Sequence, residues 1–584
     1  MFAAVAAARL RASQSLQNKE KAMSNAPRII ECVPNFSEGS DMALIKKLTD
    51  VVEAVDGVSL LDVDPGKATN RTVVTFAGAP EPVMEAAVAC VTLAAELIDM
   101  SRHSGEHPRF GATDVCPLVP ISGVTMDECV EYAREMAKRI GEAGIGVYCY
   151  ESAAFSAGRR NLAVVRAGEY EGLSKKLSDP EWKPDFGPAK FNPRAGVTAV
   201  SARDFLVAYN VNLNSTSTRR ANAIAFDVRE KGRKKREGAS LLSPVVKDAN
   251  GNDVWEPGSL KCVKGIGWFI EEYGIAQISM NLTNISVTPV HIAFDEVVAK
   301  SAARGIRVTG SEVVGLMPLQ AVLDAADFYL AKQERSLGIC DAEKIKIAVK
   351  SMGLDELGPF VADEKIIEYV LAKGGDKRLA DLSVAEFVHE TASESVAPGG
   401  GSVAANLGAL GAALGTMVAN LSAHKTGWDE RWSEFSDWAV KGKQCHDELI
   451  HLIDADTDAF NGIMAAIRLP KDTDEDKAAR AEAMEAATCG AIDVPLRVMQ
   501  VSVDSMHTIK AMAEVGNPAS ASDAGVGALC ARSAVMGAGL NVRINAKDLS
   551  SEETRANYLG EAAELQAKAV ALETEILAIV EANL

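Results

Sequence analysis

The chain has 584 residues, of which 47% are hydrophobic and 24% are charged, the proportions of an ordinary globular protein with three or more structural units. Its formal net charge of −19 argues against nucleic acid as a partner, because a phosphate backbone requires a basic surface. No run of about 18 apolar residues is free of polar groups or glycine, so we predict no membrane span. The ten cysteines form no CxxC pair, which favours a reduced, intracellular protein over one with a disulfide framework or a zinc ribbon.

The N-terminal extension, residues 1–28, differs in composition from the rest of the chain. Residues 1–22 carry arginines and serines, with Glu20 as their only acid, and this bias is typical of an organelle transit peptide. A disordered cytosolic extension and translation from Met23 are the alternatives. We therefore expect a cytoplasmic protein, or a mitochondrial one if the extension is a transit peptide.

Strand and helix patterns alternate through residues 29–205. Short apolar runs bounded by turn residues predict strands, and the periodic segments between them predict helices, in a βαββαβ-like order. The strands are expected at 28–33, 58–63, 71–76, 114–121 and 146–150, and the helices at Glu81–Met100 and Thr125–Gly141.

A similar order recurs in residues 206–370, which predicts a second α/β subdomain. Within it, the polar and turn-rich segment Lys234–Pro257 is expected to be a surface insertion. The expected elements are a strand at Asp204–Asn212, a helix at Ser217–Arg233, a hairpin of Gly265–Glu271 with Gly274–Asn281, a strand at Val287–Phe294, a helix to Arg304 and a strand at Ile306–Val308.

The composition changes after residues 371–382, where adjacent glycines flanked by charges indicate a linker. Ser383 and Glu386 then have the spacing of a capping box, which predicts the start of a helix. Beyond them alanine dominates and strand patterns fade, so residues 383–584 are predicted to form an all-α helical bundle. Long helices are expected at Val403–Ser422, Arg431–Met464, Thr473–Asp504 and Ser551–Asn583.

The segment Ser101–Pro117 contains the letters HSGEH, which formally match the HxxEH motif of inverted zinc proteases. That motif requires a helix that presents both histidines on one face. Gly105 lies inside it, and Pro108 disfavours the helical conformation of His107. We therefore predict a loop and no metal site.

A loop histidine can instead act as a base, because neutral imidazole accepts a proton near pH 7. His107 is thus a candidate general base for an attacking amine. Arg102 and Arg109 flank it and would suit a carboxylate substrate. The plainer interpretation is a histidine that packs in a loop between solvated arginines.

Two further segments of this half combine turn residues with polar groups. Asp62 and Asp64 end a predicted strand in LLDVDPG, where strand alternation places both carboxylates on one face, although turn capping by Asp64 would explain the pattern equally. The loop 185–196, DFGPAKFNPRAG, offers basic and aromatic side chains to a flat anionic ligand, or it is a plain connection.

In the helical half, DADTDAF (454–460) resembles the start of a calcium loop but lacks the required glycine and glutamate. In a helix, Asp454 and Asp458 share a face, whereas Asp456 points elsewhere. A buried acid at this place would suit proton transfer, and a solvated acidic face is the alternative.

Glycine-rich and polar breaks flank the predicted helices. Residues 397–402, APGGGS, precede a helix whose free amides would suit an anion. Gly408, Gly411 and Gly415 would allow close helix packing. The polar break Gly516–Pro518 lines the same pocket or merely caps a helix.

Together these segments resemble the formimidoyltransferase–cyclodeaminase family, and the resemblance covers nearly the whole chain from Ile29 onward. The stretches that carry it are long, ordered and present in both halves. They are ECVPNFSEG (31–39), LLDVDPG (60–66), IDMSRHSGEHPRFGATDVCP (98–117), RAGEYEGLSKKL (166–177), PDFGPAKFNPRAG (184–196), KGIGWFIEE (264–272), APGGGSVAA (397–405), DADTDAF (454–460) and SDAGVGALCARSAVMGAGLNVRIN (522–545).

The resemblance implies two reactions. The first moves a formimino group from N-formimino-L-glutamate to tetrahydrofolate, and the second closes 5-formiminotetrahydrofolate to 5,10-methenyltetrahydrofolate with release of ammonia. By resemblance, His107 is the transferase base and Asp456 the acid of the second reaction. Asp64 is our candidate for the residue that orients His107. The folate-contacting loop corresponds to Gly187, Pro188, Ala189, Lys190, Phe191, Asn192, Pro193, Arg194, Ala195 and Gly196.

The resemblance also implies two α/β transferase subdomains followed by an all-α cyclodeaminase domain. Tetrahydrofolate is then a co-substrate, in polyglutamylated form and without a metal, and the chain assembles into a ring-like homo-oligomer of dimers. Two rival interpretations remain. In the first, the helical half, which also resembles methenyltetrahydrofolate cyclohydrolases, is a cyclohydrolase-like domain fused to the transferase. In the second, the chain is a folate-binding scaffold that keeps the fold without either enzymatic activity.

Overall fold

The computed structural model of the chain describes most of its length. The predicted N-terminal extension up to residue 27 and His107 lie outside the described residues. The described ranges are 28–66, 70–104, 109–238, 243–373 and 378–584.

Contacts divide the chain into two compact units. The first extends to Val322 and also includes the residues that follow Ser351 as far as the linker. The second contains Leu323–Ser351 and the helical residues after the linker. The exact domain boundaries proposed from the sequence stay a prediction.

A seven-stranded mixed sheet forms the first part of the first unit. Its strands are β1 (Ile29–Cys32), β2 (Asn35–Phe36), β3 (Val58–Gly66), β4 (Arg71–Gly78), β5 (Thr113–Ser122), β6 (Gly146–Glu151) and β7 (Val197–Ala202). β1 and β2 both lie between β4 and β5, in antiparallel pairing with each. β3 pairs with β4, whereas β7 and then β6 follow β5 in parallel.

Each face of this sheet has its own apolar cluster, because successive side chains of a strand point to opposite faces. On one face, Ile30, Phe76 and Val147 pack against three helices. On the other, Tyr148 and Val197 pack against two short helices. The first set is α1 (Met42–Glu53), α2 (Pro80–Leu97) and α3 (Met126–Glu142), and the second is α4 (Leu162–Val165) and α5 (Glu169–Leu177).

A second sheet follows in the same unit, which confirms the prediction of two α/β subdomains. The remaining strands are β8 (Val207–Leu213), β9 (Arg233–Lys234), β10 (Trp255–Glu256), β11 (Val263–Ile270), β12 (Ile275–Leu282) and β13 (Val308–Val314). Four of them form an antiparallel sheet in the order β11-β12-β8-β13. Helices α6 (Thr218–Val228) and α7 (Val290–Ala302) pack on this sheet.

The predicted insertion Lys234–Pro257 lies around the two-stranded ribbon of β9 and β10. Isolated bridges join Arg236 to Val245 and Lys247 to Asp253. The described part of the insertion, residues 234–238 and 243–257, is therefore an extended ribbon.

The strand predicted at Val287–Phe294 is wrong, because helix α7 occupies most of that segment. Pro289 stands at the N-cap position, where its missing N–H and fixed φ do no harm. Val290, Ala293 and Val297 are buried at intervals of three and four residues, which is helical spacing. The apolar run resembles a strand in sequence because it is short and contains valine and isoleucine.

The predicted all-α bundle is confirmed for the described residues after the linker. The described chain from Leu319 onward is helical. Its helices are α8 (Leu319–Lys332), α9 (Asp341–Met352), α10 (Ala362–Lys365), α11 (Ile367–Ala372), α12 (Val384–Thr391), α13 (Gly400–Ala423), α14 (Trp432–Ile467), α15 (Asp474–Val515), α16 (Ala521–Asn545) and α17 (Glu552–Asn583). The predicted capping box also forms, because Ser383 and Glu386 each accept the other's backbone N–H through their side chains.

Helix α13 is the centre of the second unit, where α14, α15 and α16 pack against it. Within the described residues it is the one helix long and apolar enough to cross a membrane. In its most apolar stretch, 61% is buried inside the protein, as in the core helix of a bundle. Its glycines allow the close packing that the sequence predicted. A Cβ atom on Gly411 would lie 2.8 Å from the carbonyl oxygen of Gly527 and 2.9 Å from the backbone nitrogen of Ala531.

We predict that Gly411→Ala destabilises the second unit by about 1–3 kcal/mol, because the added methyl group meets backbone atoms of α16 that cannot turn aside. Gly490→Ala is the matched control, since a Cβ atom there meets nothing within 4 Å. Alanine favours a helix over glycine by roughly 0.5–1 kcal/mol, so this control should raise stability. Unfolding in urea, followed by circular dichroism, compares the two. Equal midpoints for both variants would contradict the packing argument.

Candidate active sites

The loop that precedes β5 runs beside the predicted folate loop, residues 187–196. The backbone N–H of Met100 donates to the carbonyl oxygen of Arg194 at 2.9 Å, and that of Ala112 donates to Ala195 at 2.8 Å. β5 and β7 are parallel neighbours, so the segments that lead into them lie at the same edge of the sheet. The structure therefore brings together two segments that the sequence singled out separately.

Glycine fixes both ends of the predicted folate loop. Gly187 has φ +79°, and a Cβ atom there would lie 2.1 Å from the carbonyl oxygen of Ile145. Gly196 has φ +66°, and its Cβ atom would lie 2.6 Å from the carbonyl oxygen of Phe110. Positive φ combined with such close backbone contact allows only glycine at these positions. Between them, residues 187–190 are exposed to solvent.

Tyr170 of α5 connects loop 187–196 with the segment that precedes β5. It was not among the predicted site residues. Its hydroxyl group donates to the carbonyl oxygen of Pro193 at 2.5 Å, and its ring centroid lies 5.6 Å from that of Phe191. The guanidinium carbon of Arg109 lies 5.3 Å from the same ring centroid. Burial raises the pKa of Tyr170, so the hydroxyl stays protonated. The signal in the sequence was an aromatic residue inside the matched stretch RAGEYEG.

The two predicted substrate-binding arginines differ in environment. The side chain of Arg102 is 87% exposed and lies 3.8 Å from Asp99, so it is a solvated surface group. Arg109 is only 20% exposed, and its guanidinium pairs with Glu171 and donates to the carbonyl oxygen of His103. Of the two, Arg109 is the one held in a defined position.

Two other guanidinium groups lie near the start of β5, around the buried carboxylate of Asp114. Arg166 donates to an Asp114 oxygen at 2.6 Å, and Arg71 lies 3.3 Å from the same oxygen. The side chain of Asp114 is 2% exposed. Burial lowers the pKa of Arg71, against the opposing effect of Asp114. No pattern in the sequence pointed to a role for these three residues.

His103, the first histidine of HSGEH, has one ring nitrogen engaged. Its Nε2 atom lies 2.8 Å from the carbonyl oxygen of Asn70, while its Nδ1 atom is buried and hydrogen-bonds to no described residue. Asp62 and Asp64 are both exposed on β3, in line with the face that strand alternation predicted. The pairing of Asp64 with His107 stays a prediction, because His107 lies outside the described residues.

In the second unit, the glycine-rich segment and the aspartate motif meet at the start of α13. The backbone N–H of Ser402 donates to Asp456 at 2.9 Å, and its hydroxyl group lies 3.1 Å from the same carboxylate oxygen. Burial raises the pKa of Asp456, and these hydrogen bonds from Ser402 oppose the rise. A carboxyl group with a raised pKa retains its proton to a higher pH, as an acid catalyst requires.

Gly401 makes room for this carboxylate. A Cβ atom at that position would lie 2.0 Å from one Asp456 oxygen and 2.7 Å from the other. The glycine-rich start of α13 is therefore a contact surface for Asp456 as well as a helix terminus.

A cavity of about 180 Å³ opens beside Asp456. Thr457, Asn541 and Asn545 add polar groups to its lining. The hydroxyl oxygen of Thr457 is buried and makes no hydrogen bond within the described chain. Asn545 donates to the carbonyl oxygen of Ala491 at 2.8 Å. The two asparagines are four residues apart on α16, so they share one face of the helix. This spacing in GLNVRIN is the signal in the sequence that could have identified them.

The other acids of the DADTDAF motif face elsewhere, as predicted from helical periodicity. Asp454 accepts the backbone N–H of Leu379 at 2.7 Å, and Asp458 is exposed. No group of three or more His, Cys, Asp or Glu side chains that could hold a metal ion occurs in the described ranges.

The polar break Gly516–Pro518 does not line this cavity. The backbone N–H of Asn517 donates to the hydroxyl group of Ser422, near the C-terminal end of α13, and the Asn517 side chain caps a short 3-10 helix. The break therefore acts as a cap, because the length of α13 separates it from Asp456.

Comparison with known protein families gives three matches, which together cover most of the described chain. The formiminotransferase domain N-terminal subdomain matches residues 29–203, the formiminotransferase domain matches 208–372, and the formiminotransferase-cyclodeaminase family model matches 383–564.

Three relatives illustrate the extent of this similarity. A formimidoyltransferase-cyclodeaminase from Gallus gallus is 45% identical over 529 residues, which cover 90% of this chain and 94% of the relative. A glutamate formimidoyltransferase from Streptococcus pyogenes serotype M1 is 41% identical over 53% of this chain and 95% of its own length. A methenyltetrahydrofolate cyclohydrolase from Methylorubrum extorquens is 38% identical over 33% of this chain and 93% of its own length. Because the first similarity extends through both halves, this chain belongs to the formimidoyltransferase-cyclodeaminase family.

Proposed function

We propose that the chain transfers the formimino group of N-formimino-L-glutamate to tetrahydrofolate and then cyclises the product to 5,10-methenyltetrahydrofolate with release of ammonia. The observation that carries this proposal is the extent of similarity to a protein named for both activities, 45% identity over 90% of this chain. The geometry supports it in each unit, through the paired loops at the β5 edge and through the half-buried carboxyl group of Asp456, which contacts the start of α13.

In the transfer step, the N5 nitrogen of tetrahydrofolate attacks the formimino carbon, and the bond from that carbon to the glutamate nitrogen breaks. N5 loses a proton and the departing nitrogen gains one, so a neutral base that can return the proton is required. We assign this role to His107 by resemblance. Loop 187–196 would hold the folate, and its neighbour Arg109 would hold a substrate carboxylate.

In the second step, the N10 nitrogen attacks the same carbon, and the bond from carbon to the imino nitrogen breaks. The leaving nitrogen departs as ammonia after it has taken the N10 proton and one further proton, and the product is a cation. Asp456 would supply or relay that further proton. The amides at the start of α13 and the polar groups of Thr457 and Asn541 line the space in which this transfer would occur.

Two finer assignments rest on the same resemblance: the folate is polyglutamylated, and the chain assembles as a ring of dimers. A third rests on the composition of the sequence: the protein acts in the cytoplasm, or in mitochondria if residues 1–22 are a transit peptide. Size-exclusion chromatography with light scattering tests the assembly, and localisation with and without residues 1–22 tests the address.

A rival second activity is favoured by one observation, the 38% identity of the helical half to a methenyltetrahydrofolate cyclohydrolase. A cyclohydrolase adds water to the methenyl carbon and releases no ammonia. Ammonia release from 5-formiminotetrahydrofolate therefore separates the two alternatives.

We predict that the full chain, mixed with tetrahydrofolate and N-formimino-L-glutamate, forms methenyltetrahydrofolate and ammonia in equal amounts. In His107→Asn the transfer rate should fall by about 10²–10⁴, the usual contribution of general base catalysis. Absorbance of methenyltetrahydrofolate follows the reaction. Supplied 5-formiminotetrahydrofolate is the control, because the variant should still convert it at the normal rate. A folded wild-type sample without any product would defeat the proposal.

For the second step, we predict that Asp456→Asn lowers ammonia release by about 10² or more, since an amide cannot donate the required proton. Asp458→Asn is the matched control, because Asp458 lies two residues away on the same helix and is exposed. Formimino transfer should persist in both variants. Normal ammonia release by Asp456→Asn would remove this residue from the mechanism.

The pH dependence of the second step should respond to Ser402. Its hydrogen bonds favour the ionised carboxylate and so lower the pKa of Asp456. In Ser402→Ala the hydroxyl contact is lost, the pKa rises, and the protonated acid survives to higher pH. We therefore predict that the fall of the cyclodeaminase rate with rising pH moves to higher pH. A shift to lower pH, in a variant whose thermal midpoint is unchanged, would contradict this assignment.

A further inference from the structure

A second, larger cavity lies in the first unit, on the helix side of the second sheet. Its volume is about 830 Å³, which falls within the range of small-molecule sites. We name it the α6 cavity, because α6, the turn after it and the ribbon of β9 and β10 form its walls. None of its lining residues belongs to a segment that the proposed reactions use.

The α6 cavity is strongly basic in a chain whose net charge is −19. The charged side chains that line it comprise five cations and one acid, Glu256. The cations are Arg219, Arg229, Arg233, Lys234 and Arg236.

Two of these cations pair with described acids that are not part of the cavity lining. Arg233 pairs with Asp227, and Lys234 lies 2.6 Å from Asp253. The other three arginines form no ion pair with a described carboxylate. Among the described residues, the cavity therefore keeps an excess of positive charge even when Glu256 and these two acids are counted.

Backbone carbonyl groups orient two of the three unbalanced arginines without cancelling their charge. Arg229 donates from Nε to Gly232 at 3.0 Å and from Nη1 to Gly265 at 3.2 Å, and its guanidinium carbon lies 4.0 Å from the ring centroid of Phe226. Arg236 donates to the carbonyl oxygen of Ser243 at 2.6 Å. Burial lowers the pKa of Arg229, which indicates that its charge is partly removed from water.

Arginine held in this way is suited to oxyanions. The planar guanidinium group donates parallel hydrogen bonds to two oxygens of a phosphate or a carboxylate. A fixed side chain loses little conformational freedom on binding, and partial burial strengthens the attraction to an anion. The rings of Phe226 and Trp255 add an apolar wall that would cover the body of an organic ligand.

We propose that the α6 cavity binds a small organic oxyanion with several negative groups, phosphates or clustered carboxylates, through Arg219, Arg229 and Arg236. Phosphates and carboxylates share the chemistry that these arginines recognise. The site is separate from the two folate reactions, so it is tested by measuring ligand binding and not enzymatic turnover.

Calorimetric titration of the full chain tests the proposal, with ATP, inorganic triphosphate and triglutamate as separate probes at about 50 mM salt, where screening is weak. We expect at least one probe to bind at a single site. The phosphate and carboxylate arms then identify the source of the oxyanion, and binding supports the site only if the variants of the cavity weaken it. Binding by none of the three probes would overturn it.

Two variants locate the binding. In Arg219→Gln with Arg236→Gln, the affinity should fall by about tenfold or more, because two charge-assisted contacts are lost. Arg219→Gln alone should lower the affinity by a smaller factor. Arg219 is exposed and forms no ion pair with a described carboxylate, so its replacement does not endanger the fold. The control is Arg160→Gln with Arg307→Gln, which removes the same charge from exposed positions of the same unit and should change affinity less than about twofold. Equal losses in the two double variants would reduce the effect to net charge and overturn the site.

Discussion

The second unit depends on one constraint, the short distance between helix α13 and its neighbours. Glycine sets this distance at two places: at Gly411, where a side chain would meet the backbone of α16, and at Gly401, where it would displace the carboxylate of Asp456. The same absence of side chains therefore builds the core and the candidate site. Because α13 lies close to α14, the hydroxyl of Ser402 reaches both Asp456 and the carbonyl oxygen of Ile453. The acid is thus fixed to the helix pair rather than to a loop, which is the rigid support that a proton donor needs.

In the first unit, the end of a sheet gives the candidate site a comparable rigid support. Parallel pairing of β5 and β7 brings the loops before them side by side, and Gly187 and Gly196 let the proposed folate loop, residues 187–196, pack closely against neighbouring backbone. Tyr170 then ties the loop to Arg109. Loops supported by a rigid sheet are frequent positions for binding and catalytic residues. The proposed base, His107, belongs to the segment that enters β5 at this edge.

The parts that sequence could predict are those fixed by local rules. Long periodic helices, the capping box at Ser383 and the separate directions of Asp454 and Asp456 all follow from helical spacing, and each prediction is confirmed. The strand predicted at Val287–Phe294 failed because an apolar run of that length suits either element, and Pro289 decides in favour of a helix. Long-range partners lie beyond such rules. Neither the pairing of Arg109 with Glu171 nor the contact of Asn517 with the far end of α13 leaves a mark in the local sequence. Spacing alone leaves the roles of His107 and Asp456 open, and the roles proposed for them rest on family resemblance.

The ion pair between Arg109 and Glu171 has a consequence for how an acidic substrate would enter. A substrate carboxylate that uses Arg109 replaces Glu171, so binding is an exchange of partners and not the addition of a charge to a vacant cation. Glu171 is 60% exposed and returns easily to water, whereas Arg109 remains held by Tyr170 and the carbonyl of His103. One anion leaves as another arrives, and the net charge around the guanidinium stays constant. If Arg109 binds substrate, such a site would discriminate more by the shape of the incoming group than by its charge.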